Sequence, residues 1–394
     1  MRNSDQYSRR IRGRRRKLAA LAAIFACLTA AVVIAAGAMA KPTGTSSQQA
    51  SRLQENVNAL VAAGAPGVIL LVRDGNHTTR LTGGVAEIAT KKAMQSADHY
   101  RIASLTKSYV ATVVLQLVGQ GKLRLSDTVE RWLPGLVPKG DQITIHMLLN
   151  HTSGLYDHEL DPEVLKPYLS GNLGYYWSPL RLVKLAVTRP ALFAPGATKR
   201  SSYSSTNYLV LALIVERATG KAIGAELNQR IFKPLHLSGT SYPTRSTQLP
   251  SPYAHGYFLL GKPPLTDISA FSPSLSGPAG AIVSTVDDVA GFYRALFSGR
   301  MLEPALLKAM MTTIPSTKGD LHQRYGYGIE RFPASCGAAW GHSGSFPGYW
   351  GHAWSSADGK RQAVLIVNAN PDAVPVQGRA LFYKLLDAAY CSTA

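Results

Sequence analysis

The alternation of apolar and polar positions predicts strands at both ends of the chain. Residues 67–72 form a continuous apolar run that predicts a buried strand, and Asp74-Gly75 behind it predicts a hairpin turn. Towards the other end the pattern predicts two strands joined by an Asp-Gly turn and then a closing amphipathic helix, at residues 349–355, 362–367 and 373–390. The terminal segments therefore favour one antiparallel sheet.

The long middle of the chain is rich in helix and loop. Apolar runs follow Ser104 and Tyr203, and each predicts a buried helix. We therefore predict an α+β fold: an antiparallel sheet flanked by helices, with a mostly helical region inserted at roughly 115–290. Residues 41–51 are polar and predict a linker. A helix is predicted from residue 51 to residue 63. Residues 52–394 are expected to form one two-region domain.

The amino terminus has the pattern of an export signal. A basic lead ends at Lys17, Leu18 to Gly37 is almost wholly apolar, and Ala38-Met39-Ala40 provides a small-x-small cleavage pattern. Residues 1–40 are therefore expected to be a signal peptide, which places the protein outside the cytoplasmic membrane, secreted or associated with the cell wall. An uncleaved membrane anchor is the alternative, because about 20 apolar residues suffice to span a bilayer.

The net charge is strongly basic. Removing residues 1–40 takes away eight basic residues and one acidic residue, and the formal charge falls from +19 to +12. A basic surface suits work against anionic wall polymers, and it also serves simply to keep a protein soluble. The basic residues after Lys17 are scattered and form no nucleic-acid module, so we expect no nucleic-acid partner.

A serine and a lysine three positions apart open the first buried helix. On a helix, positions i and i+3 share a face, so Lys107 is carried back towards Ser104. A lysine among apolar side chains can help to activate a serine nucleophile, and a helix N-terminus offers N–H groups to an oxyanion. The competing interpretation is a helix start with Ser104 as its N-cap and Lys107 in solvent.

Two further elements favour the catalytic interpretation. Tyr203 lies on the loop before the second buried helix, from which its phenol could reach the serine. His342-Ser343-Gly344-Ser345 lies within residues 340–349, which predict an edge strand where glycine allows a ligand close to the backbone. Taken singly, Tyr203 could be a core aromatic and His342 a loop histidine. The three elements follow one another in the order serine-lysine, tyrosine and histidine-glycine, and this order favours a catalytic role for all of them.

The chain resembles the serine beta-lactamase and penicillin-binding superfamily. The resemblance is carried by segments in a fixed order, namely 101–108, 148–157, 195–196, 203–204, 280–285, 325–328, 342–344 and 358–361. A His-x-Gly third element is similar to that of the Streptomyces-type secreted D-alanyl-D-alanine carboxypeptidases, a branch related to class C beta-lactamases and esterases. The resemblance implies an active-site groove between sheet and helical region.

The resemblance also implies the site residues. Ser104 is expected to form the acyl-enzyme, with Lys107 and Tyr203 as its proton-handling pair. The backbone N–H groups of Ser104 and Ser345 are the expected oxyanion donors. The binding side of the site is implied to consist of Ser205, His342, Ser343, Gly344 and Ser345. Arg331 is a further candidate to bind a substrate carboxylate, although Glu330 beside it would oppose that role.

The second element departs from the family pattern. The family usually has Tyr-x-Asn, whereas Ser205 stands at the third position here. A hydroxyl is shorter than an amide and offers fewer hydrogen bonds, so the placement of substrate is altered. A second frame, Ser205-Thr206-Asn207, is the alternative.

Cysteine usage and the family together complete the expectations. Cys336 and Cys391 remain in the mature chain and are expected to form one disulfide, a pairing that the resemblance supports. No metal or cofactor is indicated. We expect a monomeric D-Ala-D-Ala carboxypeptidase that acts on peptidoglycan peptides or small acyl substrates and is inhibited by beta-lactams. The alternatives are an esterase or beta-lactamase, and a non-catalytic penicillin-binding sensor.

Overall fold

A single antiparallel sheet organises the chain. The computed structural model describes residues 46–261, 263–317 and 323–392. Nine of its strands form one sheet in the order β3-β2-β1-β13-β12-β11-β10-β9-β8. The first hairpin therefore lies beside the last strand, and β1 pairs with β13 over seven residues, from Val68 opposite Val367 to Asp74 opposite Arg361. The α+β class is confirmed, and the first and the last strand of the sheet pair with each other in its interior.

The elements follow in chain order. The strands are β1 Gly67–Asp74, β2 His77–Glu87, β3 Lys92–Ala93, β4 Tyr100–Arg101, β5 Tyr257–Phe258, β6 Thr266–Asp267, β7 Val283–Ser284, β8 Ile314–Pro315, β9 Arg324–Tyr325, β10 Glu330–Ala334, β11 Gly337–Phe346, β12 Tyr349–Ser355 and β13 Arg361–Val367. The α-helices are α1 Ser46–Ala62, α2 Thr106–Gly119, α3 Val129–Trp132, α4 Ile145–Leu149, α5 Pro162–Leu169, α6 Pro179–Ala186, α7 Thr206–Thr219, α8 Ile223–Leu227, α9 Val286–Phe297, α10 Pro304–Met311 and α11 Val376–Cys391.

The two faces of the sheet bury two different cores. Along β1, Val68 and Leu70 face a core shared with helices α1 and α11. Ile69 and Leu71 face the larger core, which contains helices α2, α7 and α9. Successive side chains of a strand point to opposite faces, so a strand covered on both faces has to be apolar throughout. This explains the unbroken apolar run in β1.

Helices α2 and α7 are the centre of the helical region. Eleven of the fourteen residues of α2 are buried, and α7 packs against it. A helix that is apolar on nearly all sides is stable only inside a core. The starts of these two helices carry Ser104 and Tyr203 to the boundary between sheet and helical region, so the fold itself forms the groove.

One boundary differs from the sequence prediction. The first helix begins at Ser46, so residues 46–51 are helical and are not part of a linker. Leu53, Val57 and Leu60 are spaced by four and three residues and are buried on the sheet, and this packing supports the polar turns before them. The predicted signal lies outside the described residues. In the described part of the chain, no helix is both long enough and apolar enough to cross a membrane.

The prediction of an edge strand at residues 340–349 is wrong for Trp340 and Gly341, which pair with β10, and it is confirmed from His342 to Phe346. Strand β11 has β12 on one side and β10 on the other. The β10 partners end at Glu330, which pairs with Gly341. From His342 to Phe346, therefore, one edge of β11 is not covered by β10, and this open edge faces the helical region.

Candidate active site

Ser104 lies on a strained turn between a strand and a buried helix. The 3-10 turn Ala103–Leu105 follows β4 and leads directly into α2. Ala103 has a φ of 53°, a left-handed conformation that costs a non-glycine residue about 1–3 kcal/mol. The pairing of β4 with β7 and the bond from the Ile102 N–H to the Ile282 carbonyl at 3.0 Å hold the turn in place. The half-buried Ser104 side chain is therefore presented at a fixed position.

Lys107 is fully buried beside the Ser104 hydroxyl. Its Nζ lies 3.1 Å from Ser104 Oγ, 2.9 Å from the Ala279 carbonyl oxygen and 3.4 Å from Ser205 Oγ. These three acceptors match the three N–H bonds of an ammonium group. The structure thus places Ser205 against the lysine.

Tyr203 completes this cluster from the loop before α7. The Lys107 ammonium lies 4.7 Å from the centre of the Tyr203 ring. Burial raises the pKa of the Tyr203 phenol well above its ordinary value, while a hydrogen bond with the Ser104 side chain acts in the opposite direction. The charges of Glu330, Glu159 and Asp157 raise this pKa further. Tyr203 therefore rests as a neutral phenol.

A buried histidine forms a platform behind Tyr203. The His151 ring lies 4.5 Å from the Tyr203 ring, centre to centre, and its backbone φ is 60°. His151 Nδ1 accepts a hydrogen bond from Asn207 Nδ2 at 2.9 Å, and Asn207 Oδ1 accepts one from the Ser153 hydroxyl at 2.6 Å. Both ends of the Asn207 amide are used in this packing. The alternative Ser205-Thr206-Asn207 frame is therefore wrong as a substrate-binding element.

Gly344 allows β11 to approach the nucleophile. A Cβ atom at this position would lie 2.6 Å from the Ile102 carbonyl oxygen and 3.2 Å from Ala103 Cβ. Any side chain here would push the strand away from the Ser104 turn. The open edge of β11 therefore forms the second wall of the groove, opposite the helix starts.

The polar side chains of this wall already have partners. His342 is fully buried; its Nδ1 donates to the Ser343 carbonyl at 2.5 Å, and its Nε2 accepts from the Tyr325 hydroxyl at 3.0 Å. Ser343 donates its N–H to Glu330 Oε2 at 2.7 Å and its hydroxyl to Glu330 Oε1 at 3.1 Å. In this arrangement the imidazole supports the strand from inside.

Ser345 and Arg331 occupy different places. Ser345 is partly exposed on β11, opposite Trp350 of β12. The Arg331 guanidinium lies 5.9 Å from the centre of the ring of Trp340, its partner on the neighbouring strand β11. The structure thus gives Arg331 an aromatic partner instead of a position against Ser343.

Two nearly buried acids lie near the lysine. Asp157 and Glu159 are each 8% exposed. The pKa of Asp157 is raised to about 6, because burial and the Glu159 charge raise it more than the interactions with His158 and Lys107 lower it. In the described chain, the Glu159 side chain has no hydrogen-bond or ion-pair partner. The charge of Asp157 therefore acts on Lys107, and the charges of both acids act on Tyr203.

No metal centre is visible in the part of the chain that the structure describes: no group of three or more histidine, cysteine, aspartate or glutamate side chains there could hold an ion. Cys336 and Cys391 are joined by a disulfide that ties the turn between β10 and β11 to the end of α11. The hairpin carrying residues 342–345 is thus covalently anchored at its far end.

Comparison with known proteins places this geometry in a family. The beta-lactamase family model matches residues 53–388. The chain belongs to the beta-lactamase family. Its structure is similar to a D-stereospecific amidohydrolase from Streptomyces sp., with 34% identity, coverage of 87% of this chain and 99% of that chain, and a TM-score of 0.79. A D-amino acid amidase from Ochrobactrum anthropi SV3 gives 27% identity, coverage of 88% and 98%, and a TM-score of 0.79.

A relative with a different name is also similar. Penicillin-binding protein 4* of Bacillus subtilis is 26% identical over 306 residues, which are 72% of this chain and 63% of that protein. The chain thus spans less than two thirds of that relative's length. The family match and the similarity to both groups place this protein in the beta-lactamase and penicillin-binding family.

Sequence reasoning missed three features of the site. It did not single out Asp157 and Glu159, although an acidic pair only three residues after Gly154 was a usable signal. It treated Glu330 only as an obstacle to Arg331. The contact of Lys107 with the Ala279 carbonyl had no signal in the sequence, because it joins residues 172 positions apart through a backbone atom.

Proposed function

We propose that this protein hydrolyses amide bonds on the carboxyl side of D-amino acid residues that carry a free amino group. Ser104 would take the D-aminoacyl group and release ammonia or an amine. The similarity to a D-stereospecific amidohydrolase over 99% of that chain supports the choice of bond and stereochemistry. Residues 1–40 are proposed to direct the protein out of the cytoplasm.

The observation that carries this proposal is the acidic pair near Lys107. A free α-amino group is an ammonium ion at neutral pH, and a nearly buried carboxylate is a strong partner for it. Asp157 and Glu159 are each 8% exposed, and their charges act on the catalytic lysine and tyrosine. An N-acylated substrate, such as a cell-wall peptide, has no cation to offer here.

The proposed mechanism uses the three clustered side chains. In molecules in which the Lys107–Tyr203 pair has released one proton to solvent, Ser104 Oγ attacks the amide carbon and its proton passes to that pair. The pair then gives a proton to the leaving nitrogen as the C–N bond breaks. Water attacks the resulting ester, gives its proton to the same pair, and Ser104 recovers its proton from the pair. Because the two groups interact closely, their titration belongs to the pair and not to one residue.

The direct test is turnover of D- and L-phenylalanine amide by the full chain, with intact mass measured during turnover. We expect hydrolysis of the D-isomer and a Ser104→Ala protein that is slower by roughly 10⁴-fold or more. Ser298→Ala, whose hydroxyl bonds a carbonyl at the end of α9, is the matched control and should behave as wild type. Equal rates with both isomers, or full activity without Ser104, would exclude the proposal.

A D-Ala-D-Ala carboxypeptidase acylated by beta-lactams is the second candidate. The similarity to penicillin-binding protein 4* favours it. Incubation with a penicillin should then add the mass of the penicillin to wild type and not to Ser104→Ala. Release of D-alanine from an N-acylated D-Ala-D-Ala peptide, with no turnover of the free D-amide, would select this candidate. Ser104 could also attack an ester and form an acyl-enzyme from it. Hydrolysis of a simple ester, with no turnover of amides or peptides, would indicate an esterase.

A further inference from the structure

We propose that Glu330 is a specificity-determining residue that excludes substrates whose leaving group carries a carboxylate. This inference rests on the proposed acylation of Ser104 and adds to it the class of leaving group: ammonia or a neutral amine. Glu330 would act as an internal anion at the position where a substrate anion would otherwise bind.

The position of Glu330 follows from the end of β10. Glu330 is the first residue of that strand, and it pairs with Gly341, the last residue of β11 that β10 covers. Its fully buried side chain reaches past the end of the ladder to the next residues of β11. It therefore occupies the beginning of the open edge, on the wall that faces Ser104.

Both donors of Ser343 are taken by the two oxygens of this one carboxylate. The N–H bonds Oε2 at 2.7 Å and the hydroxyl bonds Oε1 at 3.1 Å. An N–H and a hydroxyl of one residue can hold both oxygens of a carboxylate, and hydrogen bonds to an ionised acceptor are strong. A substrate carboxylate would need the same two donors, and it would meet a negative charge already in place.

The surroundings do not neutralise that charge for an incoming anion. In the part of the chain that the structure describes, Glu330 has no ion-pair partner, and the neighbouring Arg331 lies over Trp340. The charge reaches the catalytic cluster, because it adds to the burial that raises the pKa of Tyr203 and of Tyr325. Two like charges in a partly desolvated groove repel each other strongly.

The test compares two substrates that differ only in this charge. D-alanyl-D-alanine and D-alanyl-D-alaninol have the same acyl group and one peptide bond, and only the first carries a leaving-group carboxylate. We expect wild type to prefer the alaninol compound by at least roughly tenfold in kcat/KM. In Glu330→Gln the preference should fall to about twofold or less. A structural defect would lower both rates and leave their ratio unchanged.

Two variants provide the controls. Glu330→Asp keeps the charge and should keep the wild-type ratio. Glu226→Gln removes a buried carboxylate that pairs with Arg230 away from the groove, and it should also keep that ratio. A folded Glu330→Gln protein with an unchanged ratio, or a wild type that cleaves both substrates equally, would overturn the inference.

Product inhibition of wild type gives a measurement that needs no variant. D-alaninol should inhibit more strongly than D-alanine by at least roughly tenfold, and equal inhibition would overturn the inference even if Glu330→Gln did not fold.

Failure of the proposed function has a different result: neither of the two dipeptide substrates nor a D-amide would be cleaved in a Ser104-dependent way. Ser104-dependent cleavage without discrimination would reject the role of Glu330 alone.

Discussion

The two walls of the groove differ in where their polar side chains are directed. The helix wall brings Ser104, Lys107 and Tyr203 together, with the Lys107 ammonium 3.1 Å from the serine oxygen. The strand wall carries the family's His-x-Gly element, yet its histidine and first serine are bonded inward to Tyr325 and Glu330. The comparison separates two proposed roles: the helix wall holds the side chains proposed to carry the reaction, and the strand wall holds the carboxylate proposed to select the leaving group.

The largest effect on activity is expected when the helix wall loses the hydroxyl of Tyr203. We expect Tyr203→Phe to lower kcat by roughly 10²–10⁴-fold with little change in KM, because a phenyl ring keeps the packing on His151 and removes only the proton. Steady-state kinetics with a D-amino acid amide would measure this. Tyr390→Phe, which removes a phenol hydrogen bond to the Ala338 carbonyl far from the helix wall, is the control. Activity of Tyr203→Phe within twofold of wild type would remove Tyr203 from the mechanism.

A second test loosens the strand wall at its covalent anchor. Replacing both cysteines by serine should lower the free energy of unfolding by about 4 kcal/mol, the chain-entropy value for a loop of this length. The sequence separation is 55 residues, and the bond holds the β10–β11 turn. Urea unfolding with and without the disulfide measures the change. An unaltered midpoint would mean that hydrogen bonds alone fix the hairpin.

A third prediction concerns the acidic pair and pH. Since burial and the Glu159 charge raise the pKa of Asp157 to about 6, its carboxylate is ionised above that pH, and we expect it to bind the substrate ammonium there. As pH falls through about 6 the carboxylate becomes protonated, so kcat/KM for a free D-amino acid amide should fall. Asp157→Asn should abolish this acid limb and lower kcat/KM at pH 8 by roughly tenfold.

The N-acetylated amide provides the comparison for that experiment. It lacks the ammonium, so its pH profile should not contain the limb and should not respond to Asp157→Asn. A limb of equal size with both substrates would assign the titration to the catalytic pair instead.

The smallest expected effect is at Ser205. Its hydroxyl is one of three acceptors around Lys107, at 3.4 Å, and removing one neutral hydrogen bond is worth about 1 kcal/mol. Ser205→Ala should therefore lower kcat about fivefold. A change in KM with constant kcat would instead indicate direct contact with substrate. Kinetics of Ser204→Ala, which loses a bond to the Tyr156 carbonyl, supply the neighbouring control.

Local pattern predicted the helix wall well because its geometry is local. Ser104 and Lys107 are one helical turn apart, and the apolar run behind them forces the helix into the core. The strands at both ends were equally readable, since β1 and β13 are apolar runs bounded by Asp-Gly turns. The start of α1 was missed because its first turn is polar, and it is the later residues Leu53 and Val57 that hold the helix on the sheet.

The strand wall shows what a local pattern leaves open. The residues that bond the polar side chains of β11 come from other strands: Glu330 from β10 bonds Ser343, and Tyr325 from β9 bonds His342. The motif His342-Ser343-Gly344-Ser345 does not contain the information that its side chains are already bonded, so the expectation that His342 and Ser343 meet substrate remains a prediction from resemblance.

The sequence by itself determined the α+β class and the proximity of Ser104 and Lys107, because periodicity and i, i+3 spacing are properties of short segments, and the order of its motifs carried the resemblance to the family. Only the tertiary structure decided that Asn207 is used in packing, that β11 has an open edge beyond Gly341, and that a carboxylate occupies that edge. These follow from contacts between residues far apart in the chain, whose distances depend on how sheet and helices pack.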